Sequence, residues 1–228
     1  MRMNSNISAL IPLFMMLLTI QGCTRWSEAW NQMGRGEYFI QFGCDQASGE
    51  IVENRTSRSS IPIGVQGAPE PGPMYIGDLF NMNGNKPVYI TGTSPNTVLV
   101  EDIKSMLISN GYTVAQDAAS AKVVLLADIT ELGAGGINST WTEFYGRTVS
   151  QINYTVSLSQ GESVLWSDKF SAREEMKVVY FYVKDMETVM KRAYCNTLTP
   201  LENALASEEF QKALSGHADP QSPAVPTM

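Results

Sequence analysis

The clearest regularity along the chain is an alternation of apolar and polar positions in its second half. Ile152, Tyr154, Val156 and Leu158 stand two apart among Asn, Thr and Ser. That is the period of a strand with one face buried. It predicts a strand over 148–159, a turn at Gln160-Gly161 and an antiparallel return over 163–170. A second period lies upstream. Val100, Ile103 and Leu107 recur at helical spacing, with Glu101, Lys104 and Ser105 turned away, which predicts a helix over 98–110. Ser94-Pro95-Asn96-Thr97 starts it and Gly111 ends it. Shorter strands are expected over 37–44, 87–91 and 112–115. The run 122–129 (KVVLLADI) is nearly all apolar at its start and predicts a central strand covered on both faces. Gly133-Ala134-Gly135-Gly136 reads as a flexible turn, without the Lys and the spacing of a phosphate loop. The run 176–183 suits either a strand or the start of a helix, and 185–194 reads as helix. Thr199-Pro200-Leu201-Glu202 has the spacing of a capping box with proline at the first helical position, so a separate last helix is expected to about Leu214. Residues 215–228 have no periodicity and read as a disordered tail.

Between the early aromatic strand and these elements the composition changes. Residues 45–73 hold Asn54, Ser57, Ser59, Ser60, Pro62, Gly64, Gly67, Pro69, Pro71, Gly72 and Pro73. That is loop chemistry, and the stretch reads as a linker or extended arm. A short extended piece over 75–80 and a turn at 81–85 follow. There is no internal repeat. The expected class is α+β: a small, mainly antiparallel sheet with helices packed on one face, preceded by a signal peptide and an extended linker. The expected division is 1–22 leader, 23–85 N-terminal region and linker, 86–214 α+β domain, and 215–228 tail.

The leader is the most specific stretch. Residues 7–20 (ISALIPLFMMLLTI) carry no charge, enough for a signal-peptide core and short for a bilayer span. Ile20-Gln21-Gly22-Cys23 then resembles the lipobox of bacterial lipoproteins. The resemblance implies cleavage between Gly22 and Cys23, lipid on the Cys23 sulfur, and acylation of the new amine. Several acyl chains hold far better than one, which binds only marginally. The other reading is an ordinary secretory signal with an incidental cysteine, or a short amphipathic anchor. Thr24 follows the cysteine where an Asp would imply retention at the inner membrane, so the resemblance implies the outer membrane. Trp26 and Trp30 are four apart and share a face in a helical turn. Beside an anchor they suit the membrane interface, and packing on the domain is the alternative.

Charge and chemistry then narrow the function. Of 16 basic residues only Arg2 lies in 1–22, which leaves 15 against 23 acidic residues and a net charge of −8. That balance argues against a nucleic-acid partner and against a polybasic membrane patch. With 43% apolar and 17% charged residues, the chain is globular rather than disordered. Cys44 and Cys195 remain once Cys23 is set aside. In an oxidising compartment they are a candidate disulfide, and two unrelated buried thiols are the other reading. The single histidine, His217, falls in the expected tail, so Ser-His-Asp, Cys-His and catalytic zinc chemistry have no positioned imidazole. The carboxylate pairs Glu101/Asp102, Glu174/Glu175 and Glu208/Glu209 sit on adjacent positions, which point different ways on a helix or strand. No enzyme activity, metal site or cofactor is expected.

The stretch 86–129 shows a strand, then an amphipathic helix, then Gly111-Tyr112 and Val114, then Ala119, Ala121, Val124, Leu125 and Ile129. This layout resembles the core of small envelope lipoproteins, among them the TraT-type complement-resistance and surface-exclusion lipoproteins and the TrbH-type conjugal-transfer lipoproteins. The hairpin over 152–170 is similar to the latter. TraT-type proteins carry long glycine-alanine segments after this core, where this chain has only 133–136. The resemblance implies a non-enzymatic, outer-membrane-anchored lipoprotein. It would be an accessory or structural component of an envelope assembly, of conjugation or secretion type, with envelope proteins as partners. Auxiliary lipoproteins of lipid or glycolipid transport share the layout and form the alternative. The run 178–183 (VVYFYV) is either a docking surface by strand addition or plain core.

Overall fold

The structure, a computed structural model, describes residues 37–44, 59–69, 73–81, 84–137, 146–178 and 182–216. In chain order these form β1 (Tyr38–Ile40), β2 (Ser59–Gly67), β3 (Tyr75–Asn81), β4 (Gly84–Ile90), α1 (Pro95–Ser109), β5 (Tyr112–Val114), a 3-10 turn (Ala118–Ser120), β6 (Val123–Ile137), β7 (Gly146–Gln160), β8 (Ser163–Val178), α2 (Val183–Ala206) and α3 (Glu208–Ser215). The class is α+β. One sheet has three strands in the order β1-β4-β3, the other five in the order β5-β2-β6-β7-β8. Both are mixed. β1 runs parallel to β4, and β5 and β6 run parallel to β2. The long ladders β3–β4, β6–β7 and β7–β8 are antiparallel.

The alternation in β7 sets the inner face. Thr148, Ser150, Ile152, Tyr154, Val156 and Leu158 are buried, and no residue between them is. α1 lays Leu99, Ile103 and Leu107 on β2, β5 and β6, while α2 covers β6, β7 and β8. Each such side chain, fully withdrawn from water, contributes about 1.5–3 kcal/mol. Phe210 of α3 meets Tyr112 and Trp166 edge-on, at 5.6 and 5.1 Å between ring centroids, and closes the end of this layer. The expected two-sided cover of the strand at 122–129 does not hold. Val123, Leu125 and Ala127 are buried, but Leu126 on the other face is 37% exposed. Its apolar run reflects a central place in the sheet, between β2 and β7, with one open face.

The linker reading fails over 59–67. Ser59–Gly67 is a strand between β5 and β6. Ile63 and Val65 are buried, while Pro62 and Gln66 are exposed. Pro62 is tolerated because the β2–β5 register is irregular between Ser59 and Ile63, and pairing with β6 begins only at Ile63. No ladder bond therefore needs its missing N–H. Gly64 marks close approach rather than a turn: a Cβ there would lie 2.8 Å from the Ala118 backbone. The domain boundary at residue 86 moves with it. Tyr38, Ile40, Ile63, Ile76 and Leu79 belong to the same core as the elements after 86.

Two further expectations are corrected. Residues 133–136 are not a turn but lie inside β6. The small residues there let β3 cross β6, and at Gly77 (φ 147°) a Cβ would stand 1.9 Å from the Ala134 carbonyl oxygen. Thr199-Pro200 does not start a helix either. α2 runs through Pro200 because Met186, Met190, Ala193, Tyr194, Thr197, Leu201 and Leu205 make one continuous buried stripe. That packing overrides the lost N–H. The Tyr154 hydroxyl donates to the Thr197 carbonyl near the proline, at 3.4 Å. The cap lies at Ser207, whose Oγ accepts from the Phe210 N–H at 3.2 Å and opens α3. The tail at 217–228 and the leader at 1–22 lie outside the described residues. Among those described, no helix is long and apolar enough to cross a membrane.

Candidate functional site

A groove of about 620 Å³ lies where the C-terminal ends of β1, β2 and β4 meet the start of α1. Met74, Ile90, Pro95 and Val100 supply apolar walls, and Thr91, Thr93, Ser94 and Thr97 supply hydroxyls. Among the described residues, no charged side chain lines it. Ser94 caps α1, its Oγ accepting from the Thr97 N–H at 3.2 Å and meeting the Thr97 hydroxyl at 2.9 Å. Asn96 forms the floor and is only 5% exposed. Its Nδ2 donates to the Ala68 carbonyl and its Oδ1 accepts from the Ile129 N–H, both at 3.0 Å. β6 is irregular just after Ile129, so Asn96 satisfies an amide the ladder drops there and ties α1 to two parallel strands. In the sequence Asn96 is legible only as part of the Ser94-Pro95-Asn96-Thr97 helix start, and nothing there points to its place in the groove.

Beside the groove, the outer face of the three-stranded sheet carries a row of rings. Phe39, Tyr89 and Tyr75 are register partners across β1, β4 and β3. The centroids are 6.1 Å apart for Phe39–Tyr89 and 5.8 Å for Tyr75–Tyr89. Phe39 is 54% and Tyr75 52% exposed, and Phe39 also borders the groove. The sequence hid this row because its members lie in three separate segments.

A third cluster is internal. Tyr194 of α2 donates a hydrogen bond to the Asp102 carboxylate on α1. Burial holds the Asp102 carboxyl above its usual range, against the opposing pull of that hydrogen bond. Burial and the neighbouring Asp102 charge push the Tyr194 hydroxyl far up, and burial does the same to Tyr154. Tyr154 and Tyr194 are fully enclosed. The cluster joins helix to helix and borders no part of the groove.

The other predicted positions fall as follows. Glu101 pairs with Lys104 at 2.8 Å while Asp102 turns inward. Glu174 accepts from the Asn196 amide at 2.7 Å, and Glu175 pairs with Arg147 at 3.3 Å. Neither pair converges on a common point. Cys44 and Cys195 form a disulfide with Cα atoms 5.5 Å apart, joining the segment after β1 to the middle of α2. Cys23, Trp26, Trp30 and His217 lie outside the described residues. Of the run 178–183, Val178 is buried and Val183 packs on the core, while 179–181 lie outside the described residues. Among the described residues, no group of three His, Cys, Asp or Glu side chains could hold a metal ion.

No family model matches the chain, and no curated protein matches it. Solved structures are similar to it only at low likeness. A Xanthomonas campestris protein of the DUF330 family is similar at 11% identity and TM-score 0.46, over 80% of this chain and 99% of that one. A homolog of the neuraminyllactose-binding hemagglutinin from Helicobacter pylori is similar at 13% identity and TM-score 0.46, over 75% and 96%. A minor lipoprotein from Acinetobacter baumannii is similar at 9% identity and TM-score 0.36, over 68% and 94%. Scores and identities this low assign the chain neither a family nor a function.

Proposed function

We propose that this chain is a non-enzymatic bacterial lipoprotein, anchored in the outer membrane through Cys23. It acts there as an accessory or structural component of an envelope assembly, of the conjugation or secretion type to which TraT-type and TrbH-type proteins belong. The observation that supports this is the groove. Its apolar walls with hydroxyls, and no charged side chain among the described residues that line it, suit an extended protein segment held by backbone hydrogen bonds. The same walls also suit an acyl chain, since the volume is in the range of small-molecule sites. A lipid- or glycolipid-transport auxiliary is therefore the second reading. The test is a mild-detergent pull-down of the tagged full-length protein beside Thr91→Trp, which fills the groove mouth without entering the core. Envelope subunits that copurify with the wild type and fall at least tenfold with Thr91→Trp support docking. Lipid in place of protein, lost with the same variant, supports the second reading. Equal recovery of partners with both proteins overturns the groove as the binding site.

A further inference from the structure

We propose that the row Phe39–Tyr89–Tyr75 is the surface on which the domain rests against the bilayer, with the rings at the level of the lipid headgroups. The domain has two open sheet faces, and they differ in kind. The outer face of the five-stranded sheet bears Gln151, Asn153 and Glu131, linked by side-chain hydrogen bonds, together with Arg147 and Glu175. That face is mainly polar, with Leu126 37% exposed on it. The outer face of the three-stranded sheet bears two phenols and a phenyl ring in mutual contact. Tyrosine has an apolar body and a polar tip, which is the chemistry that settles at a membrane–water boundary. Tyr75 fits this form: Asp78 on the same strand stands near its hydroxyl, so the end of the row remains polar.

The tether selects the occupant. Tyr38 lies 15 residues after Cys23, a span of at most about 50 Å when fully extended. Among the described residues the first element is β1, the strand that carries Phe39. A lipid on Cys23 therefore holds this face within reach of the membrane. Three rings are too small a surface to bind vesicles alone. Tethering turns their contact into an intramolecular event with an effective concentration of order millimolar, so the surface works only on the anchored protein. The proposal rests on lipidation of Cys23, and the experiment separates the two.

Full-length wild type in phosphatidylethanolamine–phosphatidylglycerol vesicles, and Cys23→Ser with and without the same vesicles, are exposed to hydroxyl radicals. Oxidation is read residue by residue by mass spectrometry, beside the intact mass. The expected result is acylated wild type in which Phe39, Tyr75 and Tyr89 are oxidised at least fivefold less than in Cys23→Ser, with Trp166 equally oxidised in both. Acylated wild type with rings as reactive as in Cys23→Ser overturns the proposal and leaves the anchor standing. Rings already protected in Cys23→Ser without vesicles also overturn it, because the tether segment or a second copy then covers the row. An unmodified Cys23 in the wild type overturns the anchor and the proposal together.

Discussion

The two sheets share one core yet are held together by different means. In the five-stranded sheet, β6, β7 and β8 follow one another in sequence and pair over their whole lengths, with Gly161 (φ 57°) in the tight turn of the last hairpin. Local closure of that kind costs little chain entropy. The three-stranded sheet gathers Tyr38–Ile40, Tyr75–Asn81 and Gly84–Ile90, and β1 contributes only three residues. β3 and β4 form a local hairpin, but β1 adds only a three-residue ladder, and the sheet is fixed from outside by the crossing at Gly77 and by the disulfide next to β1. Long consecutive hairpins support themselves. A three-residue edge strand brought from a distant part of the chain needs a tie, and the disulfide supplies one next to β1.

The largest expected effect cuts that tie. The disulfide closes a separation of 151 residues, for which loop-closure entropy gives about 4–5 kcal/mol. Cys44→Ser with Cys195→Ser should lower stability by that order in urea unfolding. Native-state hydrogen exchange should show β1 and β4 opening before β6 and β7. Uniform loss of protection across both sheets would show that the small sheet does not depend on the tie.

Gly77→Ala is the next largest. A methyl group at Gly77 meets the Ala134 carbonyl, which is backbone and has no rotamer to give way. The two sheets must separate, and the cost should be about 3 kcal/mol. Gly135→Ala, next to Ala134 on β6, meets nothing within 4 Å and should change stability by less than about 0.5 kcal/mol. Equal thermal shifts for the two variants would mean that the crossing is not a tight contact.

The contrast also explains what the sequence revealed. The hairpin and α1 were legible because their periods are local: Ile152 to Leu158 for the strand, Val100 to Leu107 for the helix. β2 was not, because Pro62, Gly64 and Gly67 carry loop signals. Their real reasons are an irregular register, the backbone of Ala118 and the Asn96 side chain, all brought there by distant parts of the chain. Residues 133–136 and Pro200 misled for the same reason. Each breaks a local rule that a long-range contact outweighs. The site was hidden further still. The groove draws on β1, β2, β4 and α1, and the ring row on three segments the sequence reading kept apart.

The smallest effect should appear in the helix layer and spare the small sheet. Asp102 keeps a raised pKa in the fold because burial disfavours its charge more than Tyr194 favours it. A carboxyl raised on folding adds stability that is fully present below its unfolded pKa of about 3.9. That contribution is lost as pH rises through the folded value, because the unfolded chain then binds fewer protons. Asp102→Asn stays neutral at every pH and still offers an oxygen to the Tyr194 hydroxyl. Below the carboxylate range the variant and wild type should melt together. Above it the variant should be more stable, with the gap opening as the Asp102 carboxyl ionises. Hydrogen exchange should place the gain in α1 and α2 and leave β1, β3 and β4 unchanged. A gap of the same size at every pH would mean that Asp102 acts through its shape and not through its charge.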